Sequence, residues 1–217
     1  IDGNADAHTA PHLKGLWNLW GGWGALKAAR DAREPLDLDL PEKRVILDDR
    51  GRIVEIRTRE RFDAHRVVED YMIAANVAAA KELEKHHASG VVGVYRIHEP
   101  PTQEKLVSLK DYLESLEINL ALGQVVSPAV FNRVLERTKE EPFAEQIAEQ
   151  ILRTQTQAYY GTESVGHFGL ALTSYAHFTS PIRRYADLMV HRALVRALGL
   201  GEGGITDEQV KHLAATA

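Results

Sequence analysis

Cysteine is absent from all 217 residues, which excludes disulfides and thiolate metal sites together. That absence fits a reducing compartment, and a cytoplasmic location is the expectation. No run of about 18 apolar residues occurs, so no membrane-spanning helix is expected. The first residues also lack the charged and then apolar pattern of a secretory leader. Internal repeats and low-complexity tracts are missing as well. So is any excess of positive charge: 26 Lys and Arg stand against 31 Asp and Glu, a formal net charge of -5. Bulk charge therefore does not mark a nucleic-acid binder, and any such contact needs a local basic cluster. What remains is a globular composition, 44% hydrophobic, long enough for one sizeable core or a large piece of one.

The most informative local cluster is Thr179-Ser180-Pro181-Ile182-Arg183-Arg184-Tyr185. Its pattern predicts a helix start, with Ser180 as N-cap and Pro181 at the first helical position, where the missing N–H costs nothing. Arg183 and Arg184 would then stand where the helix dipole disfavours cations. Two guanidiniums beside unpaired N–H groups make a socket for an anion such as a phosphate. The competing reading pairs both arginines with nearby acids, Asp187 among them. Ser127-Pro128 repeats the Ser-Pro start without arginines in its first turn, so capping alone does not create an anion site.

Before that cluster, Ile1 to Ala10 is small and polar and reads as the tail of something cut short. His12 to Arg33 carries Leu13, Leu16, Trp17, Trp20, Trp23, Leu26 and Ala29 at helical spacing. The Trp stripe is read as packing in preference to a base-stacking platform. Gly21, Gly22 and Gly24 loosen this helix or admit a close neighbour. Leu36 to Leu40 alternates apolar and acidic residues like a half-buried strand. Arg44 to Leu47 and Ile53 to Thr58 form a hairpin across Asp48-Asp49-Arg50-Gly51. Phe62 to His87 is a long helix, apolar around nearly its whole circumference from Val67 to Ala80, which predicts burial. His65, Glu69 and Asn76 interrupt it on one stripe with Met72. A carboxylate there either satisfies a structural arginine or faces a functional channel, since an unpaired buried one is very costly. For His65 the alternative is a hydrogen bond at the helix start. Gly90 to Ile97 reads as a strand entering the turn His98-Glu99-Pro100-Pro101, with His98 as a loop contact. Helices follow at Ser108–Leu116, Ser127–Lys139 and Glu141–Tyr159, and a last one starts at Thr206 and is expected to run past Ala217.

The run His167 to Leu194, HFGLALTSYAHFTSPIRRYADLMVHRAL, resembles the closing motif of the RNB catalytic domain shared by bacterial ribonuclease II and ribonuclease R. These are processive exonucleases that degrade RNA from its 3′ end with magnesium. The resemblance continues in weaker form through LDLDLPEKRVI, DAHRVVEDYMIAANVAAA, YRIHEPP and ILRTQTQAYYG, and so spans almost the whole chain. It implies an α+β fold: a mixed, helix-rich partial RNB nuclease domain with a small antiparallel sheet. It implies that Arg183 is the catalytic residue, touching the scissile phosphate. It places Glu69 beside the RNA channel, with Arg184, His177, Thr179, Ser180, His65 and Asn76 as further RNA-binding candidates. Tyr185 is assigned to packing, and His167 and His191 to neutral core roles. Leu38 falls where the family carries an aromatic base clamp, a stacking contact worth roughly 1–3 kcal/mol per base.

The same resemblance defines what is missing. The family binds its Mg2+ through an aspartate cluster near the start of the domain, the oxygen ligands that metal-assisted phosphodiester hydrolysis needs. No Gly-rich run with three or four close aspartates occurs here; Asp37-Leu38-Asp39 and Asp48-Asp49 are the nearest imitations. No metal ligand is therefore assigned to this chain. Residues 1–217 are expected to be an incomplete RNB domain, without the Asp-rich motif, the flanking cold-shock and S1 β-barrel domains, or the end of the catalytic domain. The implied parent is a 3′→5′ processive exoribonuclease releasing nucleoside 5′-monophosphates, its partner a single-stranded RNA 3′ end, with no membrane role and an oligomeric state left open. The isolated chain is expected to be inactive. Two alternatives stand: a non-catalytic RNA-binding or scaffolding protein retaining the RNB fold, and a helical interaction module built on the Trp stripe.

Overall fold

The computed structural model describes residues 6–38, 40, 43–58, 60–121, 123 and 126–216. They form a helix-rich α+β fold around two apolar cores. The first core collects Ala79, Ala80 and Leu83 of α2 (Asp63–His86), Tyr95 and Ile97 of β3 (Tyr95–Ile97), and Met189, Val190 and Ala193 of α6 (Tyr185–Ala197). The second is made by α3 (Gln103–Glu114), α4 (Pro128–Thr138) and α5 (Ala144–Thr154), with Leu106, Leu113, Phe131, Val134, Ile147 and Ile151 inside. These three short helices bury one stripe each at three- and four-residue steps, as amphipathic helices do. Strand β3 pairs with β4 (Tyr159–Gly161) in an antiparallel ribbon that belongs to the first core, with Tyr160 packed against it. His98 ties the end of this ribbon to its neighbours: Gly169 N donates to its Nδ1 at 2.9 Å, and its Nε2 lies 3.0 Å from the Thr156 carbonyl. It is the loop contact that the sequence suggested.

Helix α1 (Leu13–Arg33) crosses α2 at Gly22, where an added Cβ would stand 2.2 Å from the Tyr71 hydroxyl. That hydroxyl donates to the Leu19 carbonyl at 2.9 Å. Of the Trp stripe, Trp23 is buried and donates from Nε1 to Asp70 at 2.8 Å, Trp20 packs edge-on against it, and Trp17 is 53% exposed. Arg30 reaches the same Asp70 carboxylate at 2.7 Å. The hairpin of β1 (Lys43–Leu47) and β2 (Ile53–Thr58) forms as expected and is exposed except at the half-buried Ile46. The last helix is α7 (Asp207–Thr216).

Several expectations need correction. Leu36 to Leu38 and Leu40 are irregular, not a strand; Asp39 lies outside the described residues, and so does any pairing of it with Asp37. The alternation there reflects Leu36 and Leu38 inserting against the second core while Asp37 stays exposed. The strand expected from Gly90 begins only at Tyr95, and the helix expected from Glu141 to Tyr159 spans Ala144 to Thr154. Helix α2 is not buried all round: Val67, Asp70, Asn76, Ala79, Ala80 and Leu83 face inward while Val68 is exposed. The Ser180-Pro181 helix start is absent, and α6 begins four residues later at Tyr185.

Candidate nucleic-acid interface

In place of a helix tip, Ser180 to Arg184 makes a single tight turn. The N–H groups of Arg183 and Arg184 both donate to the Ser180 carbonyl, at 3.2 and 3.1 Å. Arg184 is extended (φ -126°, ψ 117°), which ends the turn before α6 begins. The turn is closed from below by Asp187, which is 0% exposed. Its Oδ1 accepts from the Ser180 N–H at 2.7 Å and from Arg184 Nη2 at 2.9 Å, while Oδ2 accepts from Arg184 Nε at 2.8 Å. This is a two-pronged guanidinium–carboxylate pair with an added backbone donor, the arrangement in which a buried ion pair is well compensated. Of the two alternatives for Arg184, the acid partner is the one this geometry realises.

Arg183 is placed differently. It is exposed, its Nη2 lies 3.3 Å from the Ser180 hydroxyl, and it meets no acid among the described residues. Ile182 beside it is 98% exposed. The turn therefore lifts one guanidinium into solvent on a rigid base formed by the other.

The irregular stretch leading to the turn is held from two sides. Asn76 of α2 is 2% exposed, donates to the Tyr175 hydroxyl at 3.0 Å, and accepts the N–H groups of Phe178 and Thr179 at 2.9 and 3.2 Å. Its amide is occupied at both ends in bracing this segment. His191 stacks on Phe178 at 4.2 Å between ring centres and sits 2.9 Å from its carbonyl through Nε2. His177 Nδ1 lies 2.7 Å from the Tyr160 hydroxyl, and the Arg96 guanidinium covers the Tyr160 ring at 4.8 Å. Burial, followed by the nearby Arg184, pushes the His177 pKa down to about 4, against the opposing pull of Asp187. Burial and the neighbouring His98 do the same to His167. Both imidazoles are neutral at pH 7.

The structure thus gathers Asn76, His177, Thr179, Ser180, Arg183 and Arg184 in one stretch. The Thr179 hydroxyl is buried there without a partner. His65 and Glu69 sit further back along α2. The exposed Glu69 pairs with Arg61 at 2.5 Å. His65 Nδ1 accepts the Phe62 N–H at 3.1 Å, the helix-start bond that was its alternative. Sequence reasoning assigned no role to Tyr160 and Arg96, although both lie in segments that resemble the family, and gave Asp187 only as a possible partner. Among the described residues no group of three His, Asp or Glu could hold a metal ion, so the Mg2+ implied by the resemblance finds no ligand set there.

A family model described as the RNB domain matches residues 4–199. The chain belongs to the RNB domain family. This RNB chain is 39% identical to ribonuclease R of Thermotoga maritima over 82% of its own length and 25% of that protein. It is 44% identical to ribonuclease R of Aquifex aeolicus over 75% of its length and 23% of that one. It therefore spans about a quarter of the curated relatives it matches. Ribonuclease R of Mycoplasma genitalium superposes with a TM-score of 0.80 at 27% identity, over 99% of this chain and 33% of that one; it has been solved in its apo form and with ribose-methylated single-stranded RNA. Yeast Ssd1, described as a pseudonuclease, shares the fold with a TM-score of 0.58 at 21% identity, over 72% of this chain and 20% of that one. The α+β fold expected from the resemblance is the fold of ribonuclease R. No helix among the described residues is long and apolar enough to cross a membrane.

Proposed function

We propose that this chain supplies the phosphate-gripping part of a 3′→5′ exoribonuclease of the ribonuclease R type, acting on single-stranded RNA to release nucleoside 5′-monophosphates. The observation that carries this reading is the split fate of the two arginines. Arg184 is spent on Asp187, and that pair fixes a turn from which Arg183 projects without an acid partner. A planar, permanently charged fork held on a rigid base suits a phosphodiester, and preorganised donors of this kind are commonly worth a few kcal/mol to a transition state. Neutral His177 and the hydroxyl of Ser180 lie on the same stretch as uncharged hydrogen-bonding groups for RNA, whereas the Thr179 hydroxyl is sealed from solvent. Magnesium would supply the activated water and leaving-group stabilisation. Because the described residues offer it no ligand set, its site is assigned to parts of the parent protein outside them.

On this reading the chain alone does not hydrolyse RNA. Incubation with labelled poly(A) and Mg2+ should release no mononucleotides, and robust turnover defeats the proposal. Arg183→Gln should weaken binding of an oligoadenylate and lower the salt dependence by about 0.7, one phosphate contact to a single strand. The unfolding midpoint should not move. A second reading, an RNA-binding scaffold that keeps the fold without hydrolysis, shares the Arg183 outcome. It parts from the first when the parent protein is assayed: a scaffold stays inactive with Mg2+.

A further inference from the structure

We infer that two copies of this chain pair through one face of the β1–β2 hairpin, an association independent of the Arg183 turn. The register sets Val45 opposite Ile56 and Leu47 opposite Ile53, with Val54 as the extra residue where the pairing shifts. In an unbroken strand neighbouring side chains point to opposite faces, and Ile53 and Val54 would part. Here the pairing with Leu47 places Ile53, and alternation from Ile56 places Val54, so the bulge brings both to one side. That face therefore carries Val45, Leu47, Ile53, Val54 and Ile56 together, each between 48% and 65% exposed. The other face carries Arg44, half-buried Ile46, Glu55 and Arg57, with Arg57 donating to Glu55 at 2.7 and 3.0 Å.

Among the described residues the hairpin is tied only loosely to the rest of the fold. Neither apolar core takes a side chain from it, and its one ion pair to the body joins Lys43 to Glu145 at 3.5 Å. A two-stranded hairpin is marginal in water unless its apolar face packs against something. At the exposures found here that face offers on the order of 500 Å² of apolar surface, as much as the largest patch a typical monomer leaves open. A second copy fits it in area, shape and charge. Packing two such faces buries about 1,000 Å² in total, the least that a specific interface needs. Sheets stack face to face at about 10 Å with their side chains interdigitating, and a row of Val, Ile and Leu presents the same relief to both partners. No charge interrupts the row, although strands open to solvent commonly carry one that prevents such pairing. A two-fold axis lying between the faces closes the pair, so association stops at the dimer.

The test is sedimentation equilibrium of the 217-residue chain from low to several hundred micromolar. A monomer–dimer equilibrium with a dissociation constant on the order of 10 µM is expected, the weak end for an interface this small. Ile56→Glu, within the apolar face, should raise that constant roughly tenfold or more, as loss of a central contact does. Arg44→Gln, on the opposite face, should leave it unchanged. A chain that stays monomeric throughout overturns the inference. So does a dimer that Ile56→Glu leaves intact, one that both variants weaken alike, or association that runs on past the dimer. Should Ile56→Glu lose its unfolding transition, Ile56→Thr decides, because it keeps a branched, strand-forming side chain and removes apolar surface. A weaker dimer then supports the pairing, and an unchanged one overturns it.

Discussion

Two Ser-Pro dipeptides in this chain begin with the same chemistry and end differently. Ser127-Pro128 opens α4 at once, with proline in the first helical position. Ser180-Pro181 opens only a turn, and the helix waits until Tyr185. The difference lies in the residues downstream of each proline. After Pro128, Ala129, Phe131 and Val134 present a continuous apolar stripe that the second core buries. After Pro181, residues 181–183 are exposed, and the first buried side chain is the Asp187 carboxylate. That carboxylate takes the Ser180 N–H, a donor that a helical register would arrange otherwise. A Ser-Pro start permits a helix; burial of a face decides whether one forms.

Removing the carboxylate should break this comparison most severely. Asp187→Ala leaves the Arg184 guanidinium partly buried without its acid and frees the Ser180 N–H. Losing one partner of a buried pair typically costs about 3–5 kcal/mol. Urea unfolding followed by circular dichroism should show that loss, and a change below about 1 kcal/mol would mean the turn is held by something else.

The same contrast separates what was legible in the sequence from what was not. Helices α1 to α5 are all expected from the sequence, although α2 is expected to be buried all round, and α3 is expected at Ser108–Leu116 and lies at Gln103–Glu114. The hairpin announces itself through β-branched runs around Asp48-Asp49-Arg50-Gly51. The Arg183 motif was visible as residue types in order, but its geometry was not. Local signals at Ser180 and Pro181 pointed to a helix, whereas Asn76, 102 residues from Phe178 in the chain, and buried Asp187 impose the turn from outside. Asn76 was placed on a polar stripe, yet its work as a brace depends on an irregular segment that no local pattern connects to it.

Acid provides a second, smaller way to separate the regions. Residues 103–154, which hold α3 to α5, contain no histidine, whereas the stretch before the turn carries His167 and His177, each neutral in the fold with a pKa pushed down to about 4. Unfolded, both take a proton near their ordinary value of about 6.5. Between pH about 6.5 and about 4 the unfolded chain therefore binds more protons, so stability is complete above that window and is lost as pH falls through it. His177→Gln, which keeps an acceptor near Tyr160, should shrink the drop in urea midpoint between pH 7 and pH 4.5. Identical drops in the parent chain and the variant would show that His177 titrates alike in both states.

The finest discrimination is between the two serines themselves. A Ser that caps a helix through its side chain typically costs about 1 kcal/mol when changed to Ala. Ser127 makes no such hydrogen bond, so Ser127→Ala should stay within about 0.5 kcal/mol although it stands at a helix start. Ser180→Ala should be equally mild, because its hydroxyl touches only the exposed Arg183 guanidinium while its backbone N–H does the holding. The two should differ in RNA affinity alone, since Ser180→Ala releases Arg183 from its one fixed contact and Ser127→Ala touches nothing near it. A full cap-sized loss at Ser127 would show that the hydroxyl closes on α4 in solution. The contrast between the two sites would then rest on the cap as well as on burial.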